Sequence, residues 1–214
     1  MPAVLFDVDG VLLDTGSLFT RVWTEWAVSR GLDPAKVLPQ TYGRRPQDTL
    51  DAVAPGLDPD EENRELDRLV MLEIELVTAM PGALELLSGL RLPWAVVTSG
   101  TRWFVEGCLR AAGLPLPEVA VYGEDVVHGK PAPEPYLTAA RRLDTPPQRC
   151  VVIEDSPHGI AAAKAAGCSV IALMTTHQAA DLTGANVMRA TLAEVGELLE
   201  TLTTPPGVVR EGEG

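Results

Sequence analysis

Short apolar runs punctuate this chain at residues 3–8, 94–98, 118–122, 150–153 and 169–173, each rich in β-branched side chains. Runs of four to eight apolar residues without polar alternation suit strands buried on both faces, as in a parallel sheet. Between them, apolar positions fall at helical spacing over 83–90, 101–112, 135–143 and 159–166; Gly113 stops the second helix and Gly167 the last. Strands alternating with helices predict right-handed crossovers and a doubly wound, parallel-sheet α/β core. One stretch breaks the rhythm. From 15 to 80 the pattern is helical, around 17–30, 45–53 and 59–78, with no convincing strand. The expected organisation is therefore a core of residues 1–14 and 81–214 carrying an α-helical cap of residues 15–80, hinged at 14–17 and 80–82. Residues 203–214, with two prolines, three glycines and two glutamates, read as a frayed tail.

Composition narrows the class. Of 214 residues, 46% are hydrophobic and 22% charged, which excludes a disordered chain and a coiled coil. A net charge of -13 argues against nucleic acid or an anionic membrane as partner, because both need basic surface. Nearly half of it lies between Asp58 and Glu75, where eight acids face two arginines; that helix is expected to turn its acids to solvent. No apolar run reaches the ~18 residues of a membrane span. The opening Met-Pro-Ala-Val-Leu-Phe-Asp places an acid where a signal peptide needs apolar residues, so a cytoplasmic location is expected. Cys108, Cys150 and Cys168 are odd in number and lack C-x-x-C spacing, which predicts buried, reduced thiols.

Four motifs carry chemistry, and each has a plainer reading. Asp7-Val8-Asp9-Gly10 ends the first strand, where ligands bind in open α/β sheets, although Asp9-Gly10 alone is an ordinary turn. Thr98-Ser99-Gly100 joins the second strand to a helix: a phosphate cradle, or equally a helix N-cap. Lys130 stands between Gly129 and three alternating prolines, held for an anion or simply solvated in a stiff loop. Glu154-Asp155 ends another strand before a Pro-Gly turn; one acid would suffice for a helix cap, and there are two. Four such motifs at successive strand ends converge on one crevice. An oxygen-rich set without a His or Cys cluster favours Mg²⁺ over zinc. His128, His158 and His177 are scattered and receive no catalytic part.

These motifs, in this order, resemble those of the haloacid dehalogenase superfamily of aspartate-nucleophile phosphohydrolases, and the helical insert resembles the small cap of its phosphoglucomutase-like branch. The presence of Asp9 separates the chain from the dehalogenases themselves. Residues 94–102, 129–136 and 159–168 are similar to the family's sugar-phosphate and polyol-phosphate phosphatases, of the 2-deoxyglucose-6-phosphatase and glycerol-phosphatase type. The resemblance implies Asp7 as nucleophile and Asp9 as general acid and base. It implies a Mg²⁺ on Asp7, the Asp9 carbonyl and Asp155, with Glu154 as ligand or water anchor. Thr98, Ser99, Gly100 and Lys130 would hold phosphoryl oxygens. In the cap, Arg45 would meet the substrate, with Pro46 standing where relatives carry a hydroxyl residue, while Arg44 and Arg45 read equally as two solvated arginines beside an acidic helix. Trp23, Trp26 and Trp103 are candidates for the pocket wall, although tryptophans at helical spacing more often belong to a core. The expected partner is a small phosphorylated metabolite, and the expected state a monomer. A phosphosugar mutase is the alternative on the same scaffold, whereas a receiver-type signalling domain leaves the cap unexplained and carries its acidic pair beside the first strand.

Overall fold

The computed structural model describes residues 1–203, so the expected tail lies, past Thr203, outside the described residues. The chain starts with β1 (Ala3–Phe6) and β2 (Leu13–Asp14). It then enters the helices α1 (Gly16–Ser29), α2 (Pro34–Val37), α3 (Pro46–Val53) and α4 (Pro59–Met71). It returns through β3 (Thr78–Ala79), α5 (Ala83–Gly89), β4 (Trp94–Val97), α6 (Arg102–Ala111), β5 (Ala120–Val121) and α7 (Glu134–Arg142). The remainder is β6 (Cys150–Glu154), α8 (Pro157–Ala165), β7 (Ser169–Leu173), β8 (Val187–Arg189) and α9 (Leu192–Thr203).

Six strands form one parallel sheet in the order β5-β4-β1-β6-β7-β8, the doubly wound α/β architecture that the alternating pattern predicts. Alternate residues of β1 serve different faces. Val4 and Phe6 join a cluster that includes Phe104, Leu109, Val195 and Leu199 from α6 and α9. Ala3 and Leu5 join a second cluster with Tyr136, Ala140, Ile160 and Ala163 from α7 and α8. Both faces are dry, which is why the strand is apolar throughout. Asp7, Glu154 and Asp155 therefore sit where strands at the centre of the sheet reach their carboxyl ends.

The inserted segment differs from its expected form in three places. The helix expected over 59–78 ends at Met71, and Thr78–Ala79 instead pairs antiparallel with Leu13–Asp14. Met80 N–H also donates to the Leu12 carbonyl at 2.9 Å. The two chain crossings into and out of the insert are thus tied into a short ladder, whose partner strand is distant in sequence and leaves no local pattern. β8 and α9 lie beyond the expected elements; β8 is three half-buried residues at the sheet edge and has no apolar run to reveal it.

The third difference concerns the acidic helix. Asp58 caps α4 by accepting from the Asp60 and Glu61 amides, and the acids of its first turn suit the positive end of the helix dipole. Glu62, however, points inward at 3% exposure, against the expectation of a solvent-facing acidic helix. It accepts from the buried Trp26 indole N–H at 2.7 Å and from Arg30 Nε at 2.9 Å. A buried indole needs an acceptor, and Glu62 supplies it. Trp26 belongs to this packing and not to a pocket wall. All three cysteines are buried and free, as expected. Among the described residues no helix is long and apolar enough to cross a membrane.

Candidate active site

The centre of the site is a buried ion cluster. Lys130 Nζ donates to Asp7 Oδ1 and Glu154 Oε1, each at 2.6 Å, and to the Val97 carbonyl at 3.2 Å. These three acceptors use all three ammonium hydrogens. Burial alone would lower the Lys130 ammonium, but Asp7 and Glu154 more than offset it and hold the group charged. Glu154 has no solvent exposure and is fully engaged: Oε1 also accepts from Tyr136 Oη, and Oε2 from the Asp155 and Ser156 amides and the Ser156 hydroxyl. Burial acts to raise its carboxyl, yet Lys130 and these donors bring it below its ordinary value.

Asp7, Glu154 and Asp155 offer carboxylate oxygens within 4.8 Å of one another, all buried. Burial, with Glu154 and Asp7 adding repulsion, pushes the Asp155 carboxyl well up; Asp7 is raised by burial although Lys130 opposes it. Two desolvated carboxylates that resist ionisation are stabilised by a cation, and the oxygen-only donor set fits a hard divalent metal. Of the three, Glu154 is the least free to ligate, because its own hydrogen bonds hold it. The acidic pair thus divides into Asp155 toward the cavity and Glu154 under Lys130.

Asp9 lies on the turn after β1 and keeps a partly open face. Burial raises its carboxyl from 3.8 to about 6, with the 2.8 Å hydrogen bond from the Thr15 hydroxyl opposing only in part. Gly10 follows at φ +75°, and a Cβ there would lie 2.2 Å from Asp155 Oδ2. The turn reading and the functional reading of Asp9-Gly10 therefore both hold: the tight turn is what lets Asp155 approach.

The hydroxyl motif is occupied by local bonds. Thr98 Oγ1 accepts from the Gly100 amide at 3.0 Å, and the Ser99 hydroxyl donates to the Gly43 carbonyl of the insert at 3.0 Å. A second bridge comes from Arg45, which pairs with both Asp48 oxygens at 2.7 and 2.8 Å and donates to the Val126 carbonyl at 3.0 Å. Arg45 thus spans from the insert to the loop after β5, and it is its neighbour Arg44 that lines the cavity.

That cavity, of about 170 Å³, lies between the insert and the carboxyl ends of the strands. That is well beyond the ~10–15 Å³ that a single water needs, and leaves room for a small metabolite. Asp7, Asp9, Ser99, Gly100 and Asp155 form its floor, while Thr98 and Lys130 lie beneath it. Trp23 and Trp103 are on its walls, as anticipated. Two contributors were not anticipated. Thr176 donates to Asp155 Oδ2 in a short hydrogen bond, and Thr175 donates to the Gly10 carbonyl at 2.6 Å. Next to them the His177 ring stacks edge-on against Tyr42 of the insert and places Nδ1 3.0 Å from the Asp155 carbonyl. The available signal was positional: Thr175 and Thr176 follow β7, another strand end on the same crevice.

A family model described as haloacid dehalogenase-like hydrolase matches residues 1–167. Hexitol phosphatase A of Escherichia coli (strain K12) is 42% identical over 175 residues, covering 79% of this chain and 81% of that protein. Glycerol-1-phosphate phosphohydrolase 2 of Saccharomyces cerevisiae is 34% identical over 187 residues, covering 81% and 75%. Among solved structures, a HAD family hydrolase from Deinococcus radiodurans R1 with bound phosphate and sodium superposes with a TM-score of 0.73 at 33% identity, over 97% of this chain and 99% of that one.

Proposed function

The chain belongs to the haloacid dehalogenase-like hydrolases, and from that premise we propose that it is a Mg²⁺-dependent phosphatase acting on small phosphorylated sugars or polyols. One observation carries the reading: Asp7, held by Lys130, and Asp9, its carboxyl raised to about 6, open side by side onto one cavity. Relatives named for hexitol and glycerol phosphates support the substrate class.

In this scheme the Asp7 carboxylate attacks phosphorus, and the P–O bond to the alcohol breaks as an aspartyl-phosphate forms. Asp9 starts protonated and gives its proton to the leaving alkoxide. It then takes a proton from water, which attacks phosphorus, frees inorganic phosphate and regenerates Asp7. A carboxyl poised near 6 can serve both directions close to neutrality. Asp7, Asp155 and the Asp9 carbonyl would hold the Mg²⁺, which supplies charge neutralisation between carboxylate and phosphate. Lys130, whose three hydrogens are taken by Asp7, Glu154 and the Val97 carbonyl, acts on the phosphoryl group through its charge from beneath. The Thr98–Gly100 turn borders that group, and Glu154 keeps Lys130 in place. The inserted helices act as a cap that closes the cavity, with Arg45 and Ser99 as its fastenings to the core.

A panel of hexitol, glycerol and 2-deoxyglucose phosphates assayed with Mg²⁺ tests the reading. Phosphate release without isomerised product is expected, with or without a sugar bisphosphate primer. Isomerised sugar phosphate that depends on the primer would establish the mutase instead.

A further inference from the structure

Helix α4 presents three faces. Glu62 and Leu69 pack inward, and Glu61, Arg64 and Arg68 face water, as Asp67 does in part. Asn63, Leu66, Asp67 and Val70, at i, i+3, i+4 and i+7, form the stripe on the cavity. Two members of that stripe are polar, on a wall that Phe19, Trp23 and Phe104 make apolar and to which Thr41 and Arg44 add polar groups, Arg44 being engaged by Gln40 Oε1 and the Asp48 carbonyl. Asn63 gives one amide hydrogen to Gln47 Oε1 at 3.1 Å, which leaves its carbonyl oxygen for another donor. Asp67 makes no hydrogen bond or ion pair with any described residue.

We infer that Asp67, with Asn63 beside it, sets substrate choice by accepting hydrogen bonds from the hydroxyls of a neutral tail and by repelling a tail that carries a second anion. This deepens, and rests on, the polyol-phosphate reading. A carboxylate accepts from two vicinal hydroxyls at once, and hydroxyl hydrogens are what a polyol tail offers. Asp67 and Asn63 stand on the roof, contributed by the insert, whereas Asp7, Asp9 and Asp155 hold the floor. The same negative charge raises the energy of a carboxylate or second phosphate placed beside it. Asp67 is exposed at the edge of the cavity, and the partial burial it has there raises its carboxyl above its ordinary value.

The test compares kcat/KM of wild type, Asp67→Asn and Asp67→Ala on glucitol 6-phosphate, 3-phosphoglycerate and p-nitrophenyl phosphate. Thermal melting verifies that each variant is folded. Asp67→Ala is expected to lose at least tenfold more on glucitol 6-phosphate than on p-nitrophenyl phosphate, mainly through KM. Asp67→Asn, which keeps hydrogen bonding but not charge, is expected to raise the 3-phosphoglycerate to glucitol 6-phosphate ratio at least tenfold. Ratios that stay at the wild-type value in both variants, or losses equal across all three esters, overturn the assignment. A wild type that cleaves p-nitrophenyl phosphate but no polyol phosphate instead removes the substrate class beneath it.

Discussion

Lys130 Nζ and Asp7 Oδ1 meet at 2.6 Å with almost no solvent access, and the same ammonium is shared with Glu154. Removing one partner of a buried ion pair leaves the others uncompensated, typically at a cost of about 3–5 kcal/mol. Lys130→Met should therefore destabilise the protein by about that amount in urea unfolding. Glu154→Gln should also destabilise, because its oxygen can still accept from Lys130 but its NH2 then faces the Asp155 and Ser156 amides, donor against donor. Equal stability of Lys130→Met and wild type would mean that the cluster is not charged as described.

Asp7→Asn takes one charge out of a self-repelling set. Turnover should fall by on the order of 10⁴-fold or more, as for loss of a nucleophile. Metal-free Asp7→Asn should nonetheless melt at or above wild type, unlike Lys130→Met. Residual phosphate release near the wild-type rate would remove Asp7 from its role.

The raised Asp9 carboxyl makes stability pH-dependent in a definite direction. Its folded value of about 6 exceeds the unfolded 3.8, so its contribution is fully present below about pH 4 and is lost as pH rises through 6. Two units correspond to a loss of up to about 3 kcal/mol, or ~6–12 °C in Tm for a chain this size. His158, lowered chiefly by burial, acts oppositely in the same window. The comparison that isolates Asp9 is therefore wild type against Asp9→Asn, both metal-free, at pH 5 and 7.5. The variant should lose less stability on going to pH 7.5, and Mg²⁺ should recover most of the wild-type loss. A steeper loss in the variant would reverse the sign.

Arg45 joins the insert to the core through Asp48 and the Val126 carbonyl. Arg45→Ala should cost about 1–3 kcal/mol, as charged hydrogen bonds do, and should speed amide exchange across α3. Arg45→Lys should not restore it, because lysine lacks the planar fork that engages both Asp48 oxygens. Exchange unchanged in α3 would show that the bridge does not hold the insert down.

Gly159 lies in the first turn of α8, directly against Glu154. A Cβ built there would be 1.6 Å from Glu154 Oε1, and that carboxylate is fixed by hydrogen bonds on both oxygens. Helix propensity alone makes Gly159→Ala stabilising by about 0.5–1 kcal/mol. The opposite is expected: a destabilisation of 3 kcal/mol or roughly more, on the scale of other buried-network disruptions, read by denaturant midpoint. A gain in stability would require Glu154 to be elsewhere.

Much of this protein was legible along the chain because the signals are local. A strand buried on both faces must be apolar throughout, so the runs near Val4, Val96, Val152 and Ile171 disclosed the sheet. Acids or hydroxyls at the ends of those runs then marked where a ligand could bind. Asp7, Asp9 and Asp155 were found that way and Lys130 by the glycine and prolines that hold it, and the structure gathers all four. Only tertiary contacts decided what each group faces. Glu62 and Asp67 share one acidic helix, yet one is buried on Trp26 and the other turns to the cavity, because helical spacing gives faces without saying what covers them. Arg44 and Arg45 are neighbours pointing at different partners. The β2–β3 ladder, the hold of Lys130 on Glu154 and the bond from Thr176 to Asp155 each join residues more than 20 positions apart. Such contacts depend on how the elements pack, and no local pattern of side chains encodes them.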